Sequence, residues 1–230
     1  MSRRLKLAVL LSGGGTTLAN LLHYRERGGL LADIDLVVSS NPKARGLRIA
    51  ADAGIGSEVI ASRDYTLSAR EGEEIRDWAR MSRDLDKVLL GGKYDLICMA
   101  GFLCRYLFSD ELTGRIVNIH PALIPMFCGE GMYGHRVHEA VVASGVRVSG
   151  CTVHLADQSY DTGPIILQRC CPVYSDDTAE DVAERVFREE CRAYPAAINL
   201  IAEGRVHLFS GRRAYVDEDR FIERFTNDVD

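Results

Sequence analysis

The sequence predicts an α/β protein: a Rossmann-like, mostly parallel sheet with helices on both faces and antiparallel strands added in the C-terminal part. Two observations predict it. Through the first 120 residues, short unbroken apolar runs alternate with stretches of helical periodicity; a parallel strand covered on both faces reads as such a run. Beyond residue 120, two closely spaced segments alternate apolar and polar residues instead, the pattern of antiparallel strands.

The strand candidates are residues 5–11, 34–39, 57–60, 96–100 and 116–119, each expected to be buried on both faces. Residues 17–27 carry Leu18, Leu21 and Leu22 at helical spacing. Residues 43–53 follow Asn41-Pro42, a turn that suits a helix start. Residues 65–90 read as one long helix, with Ile75, Trp78, Val88 and Leu89 among many charges. Residues 147–155 and 165–173 are the antiparallel pair. A last helix over residues 179–202 places Val186, Phe187, Glu190, Tyr194, Ala197, Ile198 and Ile201 on one stripe. With no internal repeat or linker, residues 1–211 are expected to form a single domain, and the charged segment 212–230 a peripheral tail.

The 230 residues are 47% hydrophobic and 27% charged, enough for a substantial core. A net charge of −5 argues against a broad nucleic-acid surface. No apolar run approaches the roughly 20 residues of a membrane span. The seven cysteines are odd in number, none forms Cys-x-x-Cys, and most sit in apolar runs. They read as reduced thiols of a soluble cytoplasmic protein, with neither a disulfide framework nor a metal site.

Ser12-Gly13-Gly14-Gly15-Thr16-Thr17-Leu18 closes the first apolar run and opens the first helix. Glycines there admit positive φ, and a helix N-terminus turns free N–H groups toward an anion. Three in succession are more than a turn requires, so Gly13, Gly14, Gly15, Thr16 and Thr17 are a phosphate-binding candidate, with one threonine available to cap the helix. No Gly-Lys-Ser/Thr follows, and Leu18 stands where the third glycine of Gly-x-Gly-x-x-Gly belongs, which disfavours ATP hydrolysis and NAD binding.

Asn118-Ile119-His120-Pro121 ends the fifth strand candidate, where open α/β sheets bind ligands. In extended chain, residues 118 and 120 point to the same side. An amide and an imidazole facing one ligand can stabilise an oxyanion and move a proton. No side-chain nucleophile accompanies them, so acyl transfer would go directly to a nucleophile that a substrate brings. Glu190 falls inside the apolar stripe of the last helix and needs a partner or a ligand; a salt bridge to an arginine is the competing reading. Residues 129–135 form a glycine-rich loop over this site. His135 and His138 are within its reach, and His138 at a helix start is equally a cap or a packing residue. Asp161, in Tyr160-Asp161-Thr162-Gly163-Pro164, is by itself a turn aspartate.

Ser12–Leu18, Ala100-Gly101-Phe102, Asn118-Ile119-His120-Pro121 and the run from Asp161 through Gly163-Pro164-Ile165-Ile166-Leu167-Gln168 together resemble the folate-dependent formyltransferases. Within them, the likeness is to the phosphoribosylglycinamide (glycinamide ribonucleotide) branch of purine synthesis, and it runs in order from about residue 5 to 208. The resemblance implies formyl transfer from 10-formyltetrahydrofolate, a co-substrate, to glycinamide ribonucleotide, by a monomer or homodimer without metal. It gives Asn118, His120 and Asp161 the catalytic positions, the glycine loop the ribonucleotide phosphate, and Glu190 a ribonucleotide contact. Phe102, Leu103, Arg105 and Leu107, with Asn118, Gln158 and Asp161, would line the folate pocket. Several positions depart from the pattern: Gly14 and Thr17 replace asparagines, Met126 replaces a lysine, the Leu103-Cys104-Arg105 segment is one residue longer, and the loop 128–134 is extended. A hydrolase using water as acceptor is the nearest rival; those relatives usually carry an N-terminal regulatory domain, whereas here the catalytic fold is expected to start within the first ten residues.

Overall fold

The computed structural model describes residues 4–70, 73–208 and 213–217. Its frame is a seven-stranded sheet in the order β3-β2-β1-β6-β7-β8-β9. The strands are β1 (Leu5–Leu11), β2 (Ala32–Ser39), β3 (Gly56–Val59), β6 (Leu96–Met99), β7 (Ile116–His120), β8 (Val148–Leu155) and β9 (Ile165–Pro172). Pairing is parallel from β3 to β7 and antiparallel from β7 to β9.

The unbroken apolar run of β1 serves two cores at once. Leu7, Val9 and Leu11 face one cluster, with α1 (Thr16–Glu26), α2 (Arg45–Asp52), α4 (His135–Ser144) and α5 (Ala179–Ala202). Ala8 and Leu10 face the other, with α3 (Trp78–Gly91). Alternation of side chains along a strand makes this division unavoidable. β3 departs from the expectation of burial on both faces: all four of its residues are exposed, because it is the sheet's edge.

A second departure is larger. Residues 65–90 are not one helix. A short 3₁₀ turn (Ser62–Tyr65) leads into an antiparallel hairpin, β4 (Thr66–Arg70) with β5 (Glu73–Arg76), before α3 begins. The true start signal is Asp77, whose carboxylate accepts the Arg80 backbone N–H and caps α3. Ile75, counted among the apolar residues of that helix, is 51% exposed, and Leu67 on the other strand of the hairpin is 65% exposed.

α5 starts at a capping box between Thr178 and Asp181. Its Tyr194 is fully buried, and the hydroxyl lies 3.0 Å from the Met99 carbonyl and 2.9 Å from that of Val117. That contact fixes the carboxyl ends of β6 and β7, where the site forms. Of the expected tail, residues 214–216 make β11 (Ala214–Val216), paired with β10 (Val206–Leu208), and Arg213 bridges to Ile165. The rest of 212–230 lies outside the described residues. No described helix is long and apolar enough to cross a membrane.

Candidate active site

β1 has β2 on one side and β6 on the other. Chain crossing in opposite directions from a central strand leaves a crevice at the strands' carboxyl ends. A cavity of about 420 Å³ opens there, lined at one end by Thr16 and Thr17 and deeper in by Asn118, His120, His154, Asp161 and Glu190.

At the first end, Gly15 is the N-cap of α1 with φ +71°, and neither threonine caps the helix. The sequence expectation of a threonine cap fails because glycine alone fits: a Cβ at Gly15 would stand 2.6 Å from the Gly46 Cα. The first-turn N–H groups therefore lack a side-chain acceptor, and no acidic residue occupies the turn. Gly13 and Gly14 are exposed, and a Cβ on either meets nothing within 4 Å. The fold does not need their bareness; close approach by a ligand would.

The other end is built from side chains. His120, 4% exposed, has Nε2 2.8 Å from the Phe127 carbonyl and Nδ1 3.5 Å from Asp161 Oδ2. A carbonyl only accepts, so Nε2 carries the hydrogen and Nδ1 of the neutral ring is a free base. Burial lowers the His120 pKa against the opposing pull of Asp161 and the Phe127 carbonyl. Burial alone would raise the Asp161 carboxyl, but His154, His120 and the Gly129 N–H, 3.0 Å from Oδ2, hold it below its ordinary value. The pair is thus a carboxylate beside a neutral imidazole. Nε2 being turned to Phe127, His120 can donate to an oxyanion only through Nδ1, once that nitrogen is protonated.

Asn118 Nδ2 donates to Asp161 Oδ1 at 3.4 Å and lies 3.2 Å from His154 Nε2. His154, 2% exposed, turns Nδ1–H to the Leu155 carbonyl at 2.9 Å, which leaves Nε2 to accept from the amide. Sequence reasoning missed His154. It stands opposite Asn118 in the β7–β8 register, and its only advance signal is that Thr152 and His154 are polar on one face of an otherwise apolar strand. Thr152 was missed too. Its buried hydroxyl donates to the Ala122 carbonyl at 2.7 Å and accepts from the Ile124 N–H and from Gln168, pinning the segment after His120. Asp161 sits at φ +53° in a turn packed so closely on β8 that a side chain at Gly163 would overlap the Leu155 carbonyl.

Of the expected folate-side residues, Phe102, Leu103, Arg105 and Gln158 line the cavity and Leu107 does not. Along this extended stretch Phe102, Cys104, Tyr106 and Phe108 are buried, while Leu103 and Arg105 face out. Leu107 falls out of the cavity lining, its N–H bound to Ser82 Oγ. Arg105 stacks over Tyr160 at 5.7 Å, and Gln158 donates to the Phe108 carbonyl at 2.8 Å, so the two loops of that wall are tied together. Glu190 has no ion pair or hydrogen bond among the described residues; the arginine partner is absent, since Glu189, its neighbour, takes Arg169 and Arg192. Burial pushes the Glu190 carboxyl up to about 7. No group of His, Cys, Asp or Glu suited to a metal ion occurs among the described residues, and none of the seven cysteines is in a disulfide.

The Formyl transferase family model matches residues 5–198, a span that includes every residue of the site. The chain belongs to the formyl transferase family. It is 39% identical over 210 residues to the trifunctional purine biosynthetic protein adenosine-3 of Gallus gallus, covering 90% of this chain and 19% of that protein. It is 38% identical over 208 residues to the chloroplastic phosphoribosylglycinamide formyltransferase of Vigna unguiculata, covering 89% of this chain and 63% of that one. Among solved structures, glycinamide ribonucleotide transformylase 1 from Symbiobacterium toebii matches with a TM-score of 0.81 at 34% identity, covering 95% of this chain and 96% of that chain. This formyltransferase chain thus spans about a fifth of the avian protein and under two thirds of the plant one.

Proposed function

We propose that this protein transfers the formyl group of 10-formyltetrahydrofolate to the amine of glycinamide ribonucleotide, as a cytoplasmic enzyme of purine synthesis. One observation carries the reading: Asn118, His120 and Asp161 line one cavity with Thr16 and Thr17, the first turn of a helix whose free N–H groups, just after the glycine loop, suit a phosphate. The names of the plant and bacterial relatives support the ribonucleotide as acceptor, and that of the avian relative supports purine biosynthesis.

The ribonucleotide phosphate would rest on the N–H groups from Gly13 to Thr17. That anchor holds the amine in attack geometry, and such positioning is worth up to roughly 10⁵ M in effective concentration or more. The amine nitrogen bonds to the formyl carbon, and the carbonyl oxygen becomes an oxyanion. Asn118 meets it by exchanging its long 3.4 Å bond to Asp161 for one to the new charge. The amine proton passes to His120 Nδ1, and the imidazolium is stabilised by Asp161. As the bond to the folate nitrogen breaks, that nitrogen takes the proton, giving N-formyl product and tetrahydrofolate.

The test is turnover of 10-formyltetrahydrofolate with and without glycinamide ribonucleotide. Formation of tetrahydrofolate only when the ribonucleotide is present is the expected result; equal turnover in its absence means that water is the acceptor and overturns the reading.

A further inference from the structure

His138 lines the same cavity but has no part in the transfer step. It lies one turn into α4 and is 7% exposed. Its Nδ1 is shut off from solvent without a partner, and no hydrogen bond to either ring nitrogen occurs among the described residues. Buried polar groups are nearly always paired, so an orphaned ring calls for an explanation. Local structure supplies none. The N-cap of α4 is Gly134, so His138 does not cap the helix. The nearby carboxylates of Glu139 and Glu180 pair with His135. Val137 and Val141 already provide the buried contacts of α4.

Nδ1 being enclosed, a partner can reach the ring only at the edge that lines the cavity. α4 packs on α5, which carries Glu190, and α5 is tied to α1 where Asn20 donates to the Cys191 carbonyl at 2.9 Å. His138 thus belongs to the wall running from the glycine loop toward His120, away from the two tied loops of the folate side. Burial first, then His135 and His120, push its pKa down to about 4, so at neutral pH the ring is uncharged and, with Nδ1 enclosed, presents Nε2 as either a donor or an acceptor. A hydroxyl or an amide, each both donor and acceptor, matches such a ring; a phosphate, which needs donors or cations, does not.

We propose that His138 is a specificity residue for the acceptor substrate, hydrogen-bonding a neutral hydroxyl or amide that lies between the phosphate and the amine of the ribonucleotide. This rests on the acceptor proposed above. In His138→Phe, which keeps the ring's shape and removes its polar atoms, the KM for glycinamide ribonucleotide rises about 10- to 100-fold. The KM for 10-formyltetrahydrofolate stays within about twofold and the melting temperature does not fall, because an unpaired buried nitrogen has been removed. An unchanged ribonucleotide KM in the folded variant overturns the proposal while leaving formyl transfer intact. Wild-type protein without ribonucleotide-dependent turnover ends both readings. If the variant does not fold, unmodified protein with ¹⁵N-labelled histidine decides the matter: saturation with glycinamide ribonucleotide shifts a His138 ring nitrogen resonance, and an unmoved resonance refutes the contact.

Discussion

The two ends of the cavity are made by different means. The proposed phosphate end is backbone: a glycine turn and the first N–H groups of α1, assembled from five consecutive residues, Gly13 to Thr17. The acyl end is side chain: Asn118 and His120 from β7, His154 from β8, Asp161 from the turn beyond it, and the Phe127 carbonyl and Gly129 N–H from a loop, all joined by hydrogen bonds or by contacts of 3.5 Å. A backbone site tolerates changes of side chain and resists little else. A buried network fails as a unit when one member loses its partner.

The comparison breaks hardest at Asp161. Asp161→Asn is expected to lower kcat by about 10³-fold, since it removes the charge that stabilises the His120 imidazolium. The pH profile sharpens the point. Activity requires neutral His120, whose pKa burial lowers below its ordinary value, so kcat/KM falls only on the acid side of 6.5. In Asp161→Asn the carboxylate no longer supports the charged ring, and the residual acid limb moves to still lower pH; a limb that stays in place or moves up contradicts the assignment.

His154→Phe is expected to lower kcat by roughly 10- to 100-fold with little change in either KM, because the Asn118 amide loses the buried acceptor that orients it. Steady-state kinetics beside a melting curve separate this from simple loss of fold. Unaltered kcat would mean that His154 only packs.

Glu190 sits between the two ends and is read out as stability. Its carboxyl titrates near 7 in the fold against an ordinary 4.5, so between those values the native state holds more protons than the unfolded chain. Stability conferred by the protonated form is complete below pH 4.5 and declines as pH rises to about 7. Glu190→Gln should therefore be more stable than wild type at pH 8, by on the order of 2 kcal/mol, and equal to it near pH 4. Denaturant unfolding at both pH values measures this, and the same variant should bind ribonucleotide more weakly.

The smallest effect belongs to the backbone end. Thr17→Val should change the ribonucleotide KM by only about two- to threefold, since the main-chain donors remain. A loss of hundredfold would show that the threonine hydroxyl, and not the backbone, holds the phosphate.

Much of this was legible in the chain. The strands of the parallel half show because continuous apolar runs record burial on both faces, and the glycine loop shows because its function is local. Asn118 and His120 are legible together because extended chain puts alternate residues on one side. The hairpin at 66–76 was hidden because its residues also fit a loose helical pattern, and the exposed Leu67 and Ile75 carry no mark of exposure in sequence. Leu107 was misplaced because the cavity is lined by residues 102–106 and 108 without regard to the alternation of the segment, and the tie of its N–H to Ser82 comes from a distant helix. His154 was invisible as a site residue: nothing within its strand says that Asn118 lies opposite.

By itself, the sequence determined the parallel α/β frame, the glycine turn at the start of α1 and the two polar residues at the end of β7, because each depends on residues close in the chain whose spacing is fixed by strand and helix geometry. Only the tertiary structure decided the tautomer of His120, the ionised state of Asp161 beside it, the orphaned carboxyl of Glu190 and the meeting of His154 with Asn118. Those depend on burial and on partners tens of residues away, and charge, unlike periodicity, is set by what surrounds a group and not by what precedes it.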